Sequence, residues 1–260
     1  MRYPACWLLP SAFLFTLARA ASTPAATSPA ATAATPALVV STAAQPAAAN
    51  TDKPVQVTKP VDLFNGKDLS GWSYYTGGQP ADVATVCQVK DGVMVVVGKP
   101  VGYLRADFIR ENYQLHFEWR WTNTNANTNS GALLHISPGA LQQPGSWPVC
   151  FQAQTKNTHA GDIISMSTAV CAEAPAGKTI SRQKDASEKP MGEWNTGDVV
   201  VRGDTIEYSV NGVAQNKVTQ CEPHTGYIGF QLEGYSYEMR NIKLVPLEPE
   251  KPAATSAKPN

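Results

Sequence analysis

The sequence predicts an all-β fold, a jelly-roll β-sandwich of two antiparallel sheets with few and short helices. Three observations carry that expectation. Apolar residues recur at every second position in segment after segment, the spacing that sends alternate side chains to opposite sides of an extended chain. Asp91-Gly92 and Asn211-Gly212 sit between such segments, and these dipeptides are strong local marks of an antiparallel hairpin. No stretch sustains an apolar period of 3.6 residues, so long amphipathic helices are not expected. Many short strands separated by turn residues are the pattern of a sandwich.

Taken from the N-terminus, residues 1–20 read as a secretory signal: Arg2, an apolar run from Trp7 to Leu17, then Ala18-Arg19-Ala20 as a small-residue cleavage site. The run is too short to span a bilayer, and no later segment reads as a membrane span. The expectation is export to the periplasm or beyond. Residues 21–60 are dominated by Ala, Thr and Pro, bury nothing, and read as a disordered linker; residues 248–260 read as a similar tail. Residues 61–247 then form one domain of about 190 residues, enough for a good core. The formal net charge is zero and the charges are scattered, so nucleic acid is not an expected partner.

Within the domain, Val86–Lys90 and Val93–Val97 flank the first hairpin turn. Tyr113–Thr122 alternates strictly, with Leu115, Phe117, Trp119 and Trp121 on one face and Gln114, His116, Glu118 and Arg120 on the other. Gly131–Ser137 follows an Asn/Thr-rich loop. The stretch Trp147–Asp162 begins as a half-buried strand: Val149, Phe151 and Ala153 point one way, Cys150, Gln152 and Gln154 the other. Val199–Val201 and Thr205–Val210 flank Arg202-Gly203-Asp204, which reads as a turn; Val213–Lys217, Tyr227–Glu233 and Tyr237–Val245 complete the set. Cys87, Cys150, Cys171 and Cys221 remain after removal of the signal. An even number in an exported chain implies two disulfides, with Cys150–Cys171 favoured because the two bracket one hairpin-like excursion; a four-thiolate zinc site is the rival.

Aligning the strands gives an apolar set that reads as the core and a recurring polar set: His116, Glu118, Arg120, His135, Gln152, Gln154, Gln231, Glu233, Glu238 and Arg240. Aromatic residues such as Trp72, Tyr74, Tyr75, Trp147 and Tyr235 would stand at its rim. Amides, paired charges and ring faces suit a polyhydroxylated ligand, since sugar C–H faces stack on rings and hydroxyls take donors and acceptors. The bland readings stand beside this one: Glu118 and Arg120 as cross-strand ion-pair partners, His135 as a structural histidine, Trp194 as a loop anchor.

Several segments also resemble a known family. They are Asp62-Leu63-Phe64-Asn65-Gly66-Lys67-Asp68-Leu69-Ser70-Gly71-Trp72, Gly102-Tyr103-Leu104-Arg105, Asn129-Ser130-Gly131, Gly192-Glu193-Trp194-Asn195, Val210-Asn211-Gly212, Gln231-Leu232-Glu233-Gly234 and Arg240-Asn241-Ile242. In this order they resemble the 3-keto-disaccharide hydrolase domain family of exported bacterial proteins. The resemblance implies a concanavalin A-like jelly roll and action on oxidised carbohydrates, the 3-keto-glycosides. It also marks a departure: the family often carries Glu-x-Gln where this chain has Gln152-Ala153-Gln154, and an amide cannot take up a proton.

A 3-keto sugar has an acidic C2 proton, so a base can remove it and the C1 substituent can leave by elimination before water adds. His135, Glu233 and Asp162 are the candidate acid–base residues; Arg105, Arg120, Gln152, Gln154, Gln231, Arg240 and Trp147 are the candidate substrate contacts. An arginine, or a divalent metal on His and carboxylate groups, would hold the enolate oxygen. The competing expectation is a non-catalytic carbohydrate-binding module, which Gln152 favours.

Overall fold

The structure is a computed structural model of the 260-residue chain, and it describes residues 53–77, 79–138 and 147–247. The expected signal, the C-terminal tail and the linker as far as residue 52 lie outside the described residues. The strands run in order as β1 (Val55–Gln56), β2 (Val61–Asp62), β3 (Trp72–Thr76), β4 (Gln79–Ala81), β5 (Cys87–Lys90) and β6 (Val93–Val96). There follow β7 (Gly102–Ala106), β8 (Arg110–Glu111), β9 (Tyr113–Trp121), β10 (Gly131–Ile136), β11 (Cys150–Gln154) and β12 (Ile163–Met166). The last six are β13 (Thr179–Ile180), β14 (Asn195–Arg202), β15 (Thr205–Val210), β16 (Val213–Val218), β17 (Tyr227–Leu232) and β18 (Tyr237–Pro246). Helical structure among the described residues is a 3-10 turn at Val83–Thr85, as a chain without a 3.6-residue apolar period should give.

Two large sheets result. The front sheet has the order β13-β12-β11-β10-β17-β7-β3-β4, and the back sheet β16-β15-β14-β9-β18-β6-β5, with β2 also paired to β18. Both expected hairpin turns form with left-handed backbone at each central residue: φ is 51° and 77° at Asp91 and Gly92, and 49° and 78° at Asn211 and Gly212. That matches the twist of the flanking strands. The folded part starts before residue 61. Val55–Gln56 pairs in parallel with Arg110–Glu111, and Val57 is buried. A two-residue strand is too short to show a period.

The core lies between the sheets. Tyr113, Leu115, Phe117, Trp119 and Trp121 all point inward from β9, while Ile228, Phe230 and Leu232 come from β17 and Phe151 and Ala153 from β11. Phe117 meets Phe230 edge-on at 5.3 Å and lies against Gly197, where a Cβ would fall 2.3 Å from the ring. Burying one such ring stabilises by about 2–3 kcal/mol, and Phe117→Ala would cost about 3–5 kcal/mol because a cavity adds to the transfer loss.

The sheets differ on their outer faces. The back sheet is solvated there, and β9 alternates buried and half-buried residues along its length. The front sheet carries a second apolar cluster on its outer side, built from Tyr103, Ile109, Leu133, Ile136, Cys150, Met166 and Tyr227. Strands β10, β11 and β17 are therefore buried on both faces, where half-burial was expected for β11. The recurring polar set also divides. His116, Glu118, Arg120, Glu238 and Arg240 belong to the back sheet, and Gln152, Gln154 and Gln231 to the front, so the two groups look out from opposite sides of the sandwich.

All four described cysteines are free. The favoured pair cannot meet: Cys150 faces the outer cluster, with its Sγ 3.7 Å from the Met166 sulfur, whereas Cys171 packs against the core on the other side of the front sheet. The thiols are likewise not gathered into a four-cysteine zinc site.

Candidate functional site

Strand register builds the site. Gln154 is opposite Gly131, and Gln152 opposite Leu133. Leu133 is in turn opposite Gly229 on β17, Gly229 opposite Arg105, and Gln231 opposite Tyr103. Tyr75 on β3 lies opposite Tyr103. Because side chains alternate along a strand, the outer face of the front sheet holds Gln154, Gly131, Gln231, Tyr103 and Tyr75 in one row. Gln152, Leu133, Gly229 and Arg105 form the next row.

The three glutamines are joined. Gln152 Nε2 donates to Gln231 Oε1 at 2.6 Å and to Gln154 Oε1 at 3.2 Å. The Lys156 backbone N–H adds a donor to Gln154 Oε1 at 3.3 Å. All three side chains are nearly fully buried, which makes satisfied amides obligatory. One amide has spent both hydrogens, and the carbonyl oxygens of its two neighbours are spent receiving them. The Nε2 groups of Gln154 and Gln231 are left as donors, with no other partner among the described residues. Gly131 makes this possible: a Cβ there would fall 2.5 Å from Gln152 Nε2.

Glu233 follows β17, on the same face as Gln231. It accepts a hydrogen bond from Asn129 Nδ2. Burial pushes its carboxyl above the ordinary glutamate range, and the Lys156 charge and the Asn129 bond pull part of the way back. At the other end, the Arg105 guanidinium lies 4.0 Å from the Tyr227 ring centroid and 4.5 Å from that of Tyr75. Its Nε is buried without a hydrogen-bond partner, and among the described residues no carboxylate pairs with it. Tyr75 stacks on Tyr103 at 5.2 Å, and burial pushes the Tyr103 hydroxyl up to about 12, which keeps it a proton-bearing donor. Trp147 packs at the edge of the same outer cluster.

The structure thus brings together Gln152, Gln154, Gln231, Glu233, Arg105 and Trp147. It places four other candidates elsewhere. Arg120 and Arg240 lie on the back sheet, bound to Glu238 at 2.6 Å and to Glu118 at 2.7 Å across β9 and β18. Both also lie against the Trp194 ring, at 4.7 Å and 4.0 Å. They are the cross-strand partners of the bland reading, with Trp194 as their clamp. A cavity of about 340 Å³ opens beside Arg120, Met191 and Gly192, but its arginine is already matched by Glu238.

His135 is the third residue placed elsewhere. Register slips between Leu133 and Ile136, and His135 has φ 54°. The slip turns its ring away from the glutamines. The ring sits edge-on to the core residue Phe151 at 6.3 Å, and Nδ1–H donates to the Pro223 carbonyl at 2.9 Å. Burial pushes its pKa down to about 4, so the ring is neutral, and Nε2 meets no partner. Asp162 is the fourth. Its backbone carbonyl bonds Gln154 N–H, but its carboxylate turns to Arg182 N–H at 2.8 Å and to His159 Nδ1 at 3.2 Å. It ties down a loop.

Asn129 and Tyr227 join the site without having been singled out for it, whereas Lys156 was among the polar groups of Trp147–Asp162. For Tyr227 the signal was present, since it alternates with Gly229 and Gln231 along β17. Asn129 and Lys156 lie beyond the strand ends, where periodicity does not reach. Among the described residues no group of three His, Cys, Asp or Glu side chains is arranged to hold a metal ion.

Comparison with known proteins adds three findings. A family profile described as a 3-keto-alpha-glucoside-1,2-lyase-like domain matches residues 59–245. No curated protein matches the sequence. Among solved structures, a candidate glycosyl hydrolase from Parabacteroides distasonis ATCC 8503 superposes with TM-score 0.53 at 22% identity, over 73% of this chain and 94% of that one. LamAcat from Zobellia galactanivorans superposes with TM-score 0.50 at 8% identity, over 73% and 97%. A laminarinase from Flavobacterium sp. UMI-01 gives 0.50 at 11% identity, over 75% and 100%. At such identities the likeness is one of fold, the concanavalin A-like jelly roll.

Proposed function

The chain belongs to the 3-keto-alpha-glucoside-1,2-lyase-like domain family, and from that premise we propose that it cleaves 3-keto-glycosides by elimination and hydration on the outer face of the front sheet. One observation carries the reading: a half-buried carboxylate of raised proton affinity, Glu233, stands beside two amide groups whose open positions are donors. Glu233 takes the proton from C2. The C–H electron pair becomes the C2–C3 double bond, and the C3 carbonyl oxygen becomes an enolate. Gln154 and Gln231 Nε2 donate to that oxygen as its charge grows, which is where fixed donors lower a barrier. The enolate then collapses, the C3 carbonyl re-forms and the C1–O bond breaks. The Lys156 ammonium beside Glu233 supplies the proton to the leaving oxygen. Water adds across the C1–C2 double bond, its hydroxyl to C1 and its other proton to C2, and the proton held by Glu233 passes to Lys156, which restores both groups.

Arg105 comes from the strand position opposite Gly229, and this step is not assigned to it. Its register partner Gly229 is four residues from Glu233 along β17, about 14 Å at the usual strand rise. That span suits a second sugar ring, whose face would meet Tyr75 and whose oxygens would meet the guanidinium.

The test is release of free sugar from a 3-keto-glucoside by purified protein. Wild type should turn over, and Glu233→Gln should lose roughly 10²–10⁴-fold in kcat with binding kept within a few-fold. The wild-type rate should rise with pH through an apparent pKa above 4.5, because the base must be ionised. Absence of release by wild type would end the hydrolase reading. A second reading, a non-catalytic carbohydrate-binding module, is favoured by Gln152, an amide where the family often has a carboxylate. Calorimetric binding of the same glycoside without turnover would select it.

A further inference from the structure

Two of the free thiols face each other across a pairing outside the two large sheets. Val170 and Glu222 form an antiparallel bridge and exchange both backbone bonds, at 2.9 Å and 2.8 Å. One step along from such a doubly bonded pair lies a non-hydrogen-bonded pair, whose Cα atoms approach to about 4.5 Å. Here that next pair is Cys171 and Cys221. A disulfide requires a Cα separation of about 4.4–6.8 Å. The side chains also share a side: Cys221 is fully buried in the inter-sheet core, and Cys171 packs partly buried against the same cluster. The other two thiols have no such neighbour, with Cys87 opposite Val96 and Cys150 opposite Met166.

We propose that Cys171 and Cys221 are a disulfide-forming pair, a modification site that fastens the segment after β12 to the crossover by which the chain passes from β16 in the back sheet to β17 in the front. The co-reactant is a disulfide of the thiol-exchange type, such as oxidised glutathione or an oxidoreductase disulfide. Cys171, the more accessible of the two, attacks as thiolate; one sulfur of the oxidant leaves and a mixed disulfide forms. The Cys221 thiolate then attacks Cys171 Sγ, and the second sulfur leaves. The two cysteines lose two protons and two electrons, and the oxidant gains both as it becomes two thiols. Burial holds both thiols above the ordinary cysteine range, so the reaction quickens as pH rises. The expected signal at residues 1–20 would bring the chain to a compartment where such oxidants act.

The test uses the purified full chain, reduced and then treated with oxidised glutathione, alkylated without reduction, digested and mapped by mass spectrometry. The expected result is one intramolecular link joining the Cys171 and Cys221 peptides. The melting temperature should rise, by about 8–16 °C if the chain-entropy gain of closing a loop of some 50 residues is fully realised. Cys171→Ser, at a half-buried position that leaves the core intact, should lose both the link and the rise. A Cys171–glutathione adduct that never resolves, a link to Cys87 or Cys150, or unmodified thiols at pH 8.5 would each overturn the proposal.

Discussion

Replacing Gln152 with glutamate would reverse the polarity of the glutamine row. Gln152 gives two N–H bonds to its neighbours, and a carboxylate can give none. Gln154 and Gln231 would have to rotate their amides to present Nε2, and Gln154 would then forfeit the Lys156 N–H. Bonds inside the row are conserved and one outside it is lost, a cost of about 1 kcal/mol. The charge is the larger effect. Position 152 is 1% exposed, so desolvation dominates. Even with two amide donors, such a carboxyl should titrate roughly 2–3 units above free glutamate. A carboxyl whose folded pKa is raised imposes no charge penalty below its unfolded pKa, near 4.3, and an increasing one as pH climbs to the folded value. That amounts to about 3–4 kcal/mol. Urea unfolding followed by tryptophan fluorescence, on wild type and Gln152→Glu, should therefore give a difference of about 1 kcal/mol at pH 4 and about 4–5 kcal/mol at pH 7.5. A difference that stays flat across this range would refute the burial and the donor direction assigned to the row.

Arg240→Ala should leave kcat and KM for a 3-keto-glycoside unchanged and cost about 1 kcal/mol or less, because Glu118 keeps Asn241 as a partner; a large rise in KM would mean the back sheet takes part in binding. His135→Asn should destabilise by about 2–4 kcal/mol through lost packing while leaving the pH–rate profile in place. Since the His135 pKa is pushed down to about 4, wild-type stability should fall as pH drops below 6.5, and that acid slope should flatten in the variant. Glu188 accepts the Thr158 N–H at 2.9 Å, and burial pushes its carboxyl up to about 7. Its raised pKa favours the acid form, so stability is lost as pH rises from 4.5 to 7, and Glu188→Gln should gain roughly 1–2 kcal/mol at pH 7.5, after discounting for partial exposure, and nothing at pH 4 in urea unfolding.

The fold and the family were open to reading because both are written in order along the chain. Alternation in Tyr113–Trp121, turns at Asp91-Gly92 and Asn211-Gly212, and motifs spaced from Asp62 onward each need only neighbouring residues. Which strands share a sheet is a different kind of fact. β9 and β18 alternate as β11 and β17 do, and nothing within any of these strands says that Arg120 and Gln152 look out from opposite sides. His135 was misplaced for a related reason: alternation assumes unbroken register, and one residue with φ 54° undoes it. The even number of cysteines predicted pairing by parity, and parity carries no position. That Glu233 and the three glutamines share one face was legible because they lie on regular strands or next to one.

The contact between Gly131 and Gln152 has a consequence for how this protein can change over generations. With 2.5 Å between a would-be Cβ and the amide nitrogen, position 131 cannot gain a side chain while a long residue stands at 152. An alanine at 131 would evict the amide, and a shorter residue at 152 would leave a hollow that a side chain at 131 could fill. Relatives should therefore show the two positions substituting as a pair, glycine with a long residue or a larger residue with a short one. The polar row on this face can then be rewritten only by a double step, or by an exchange at 152 that keeps its length, as glutamate for glutamine does.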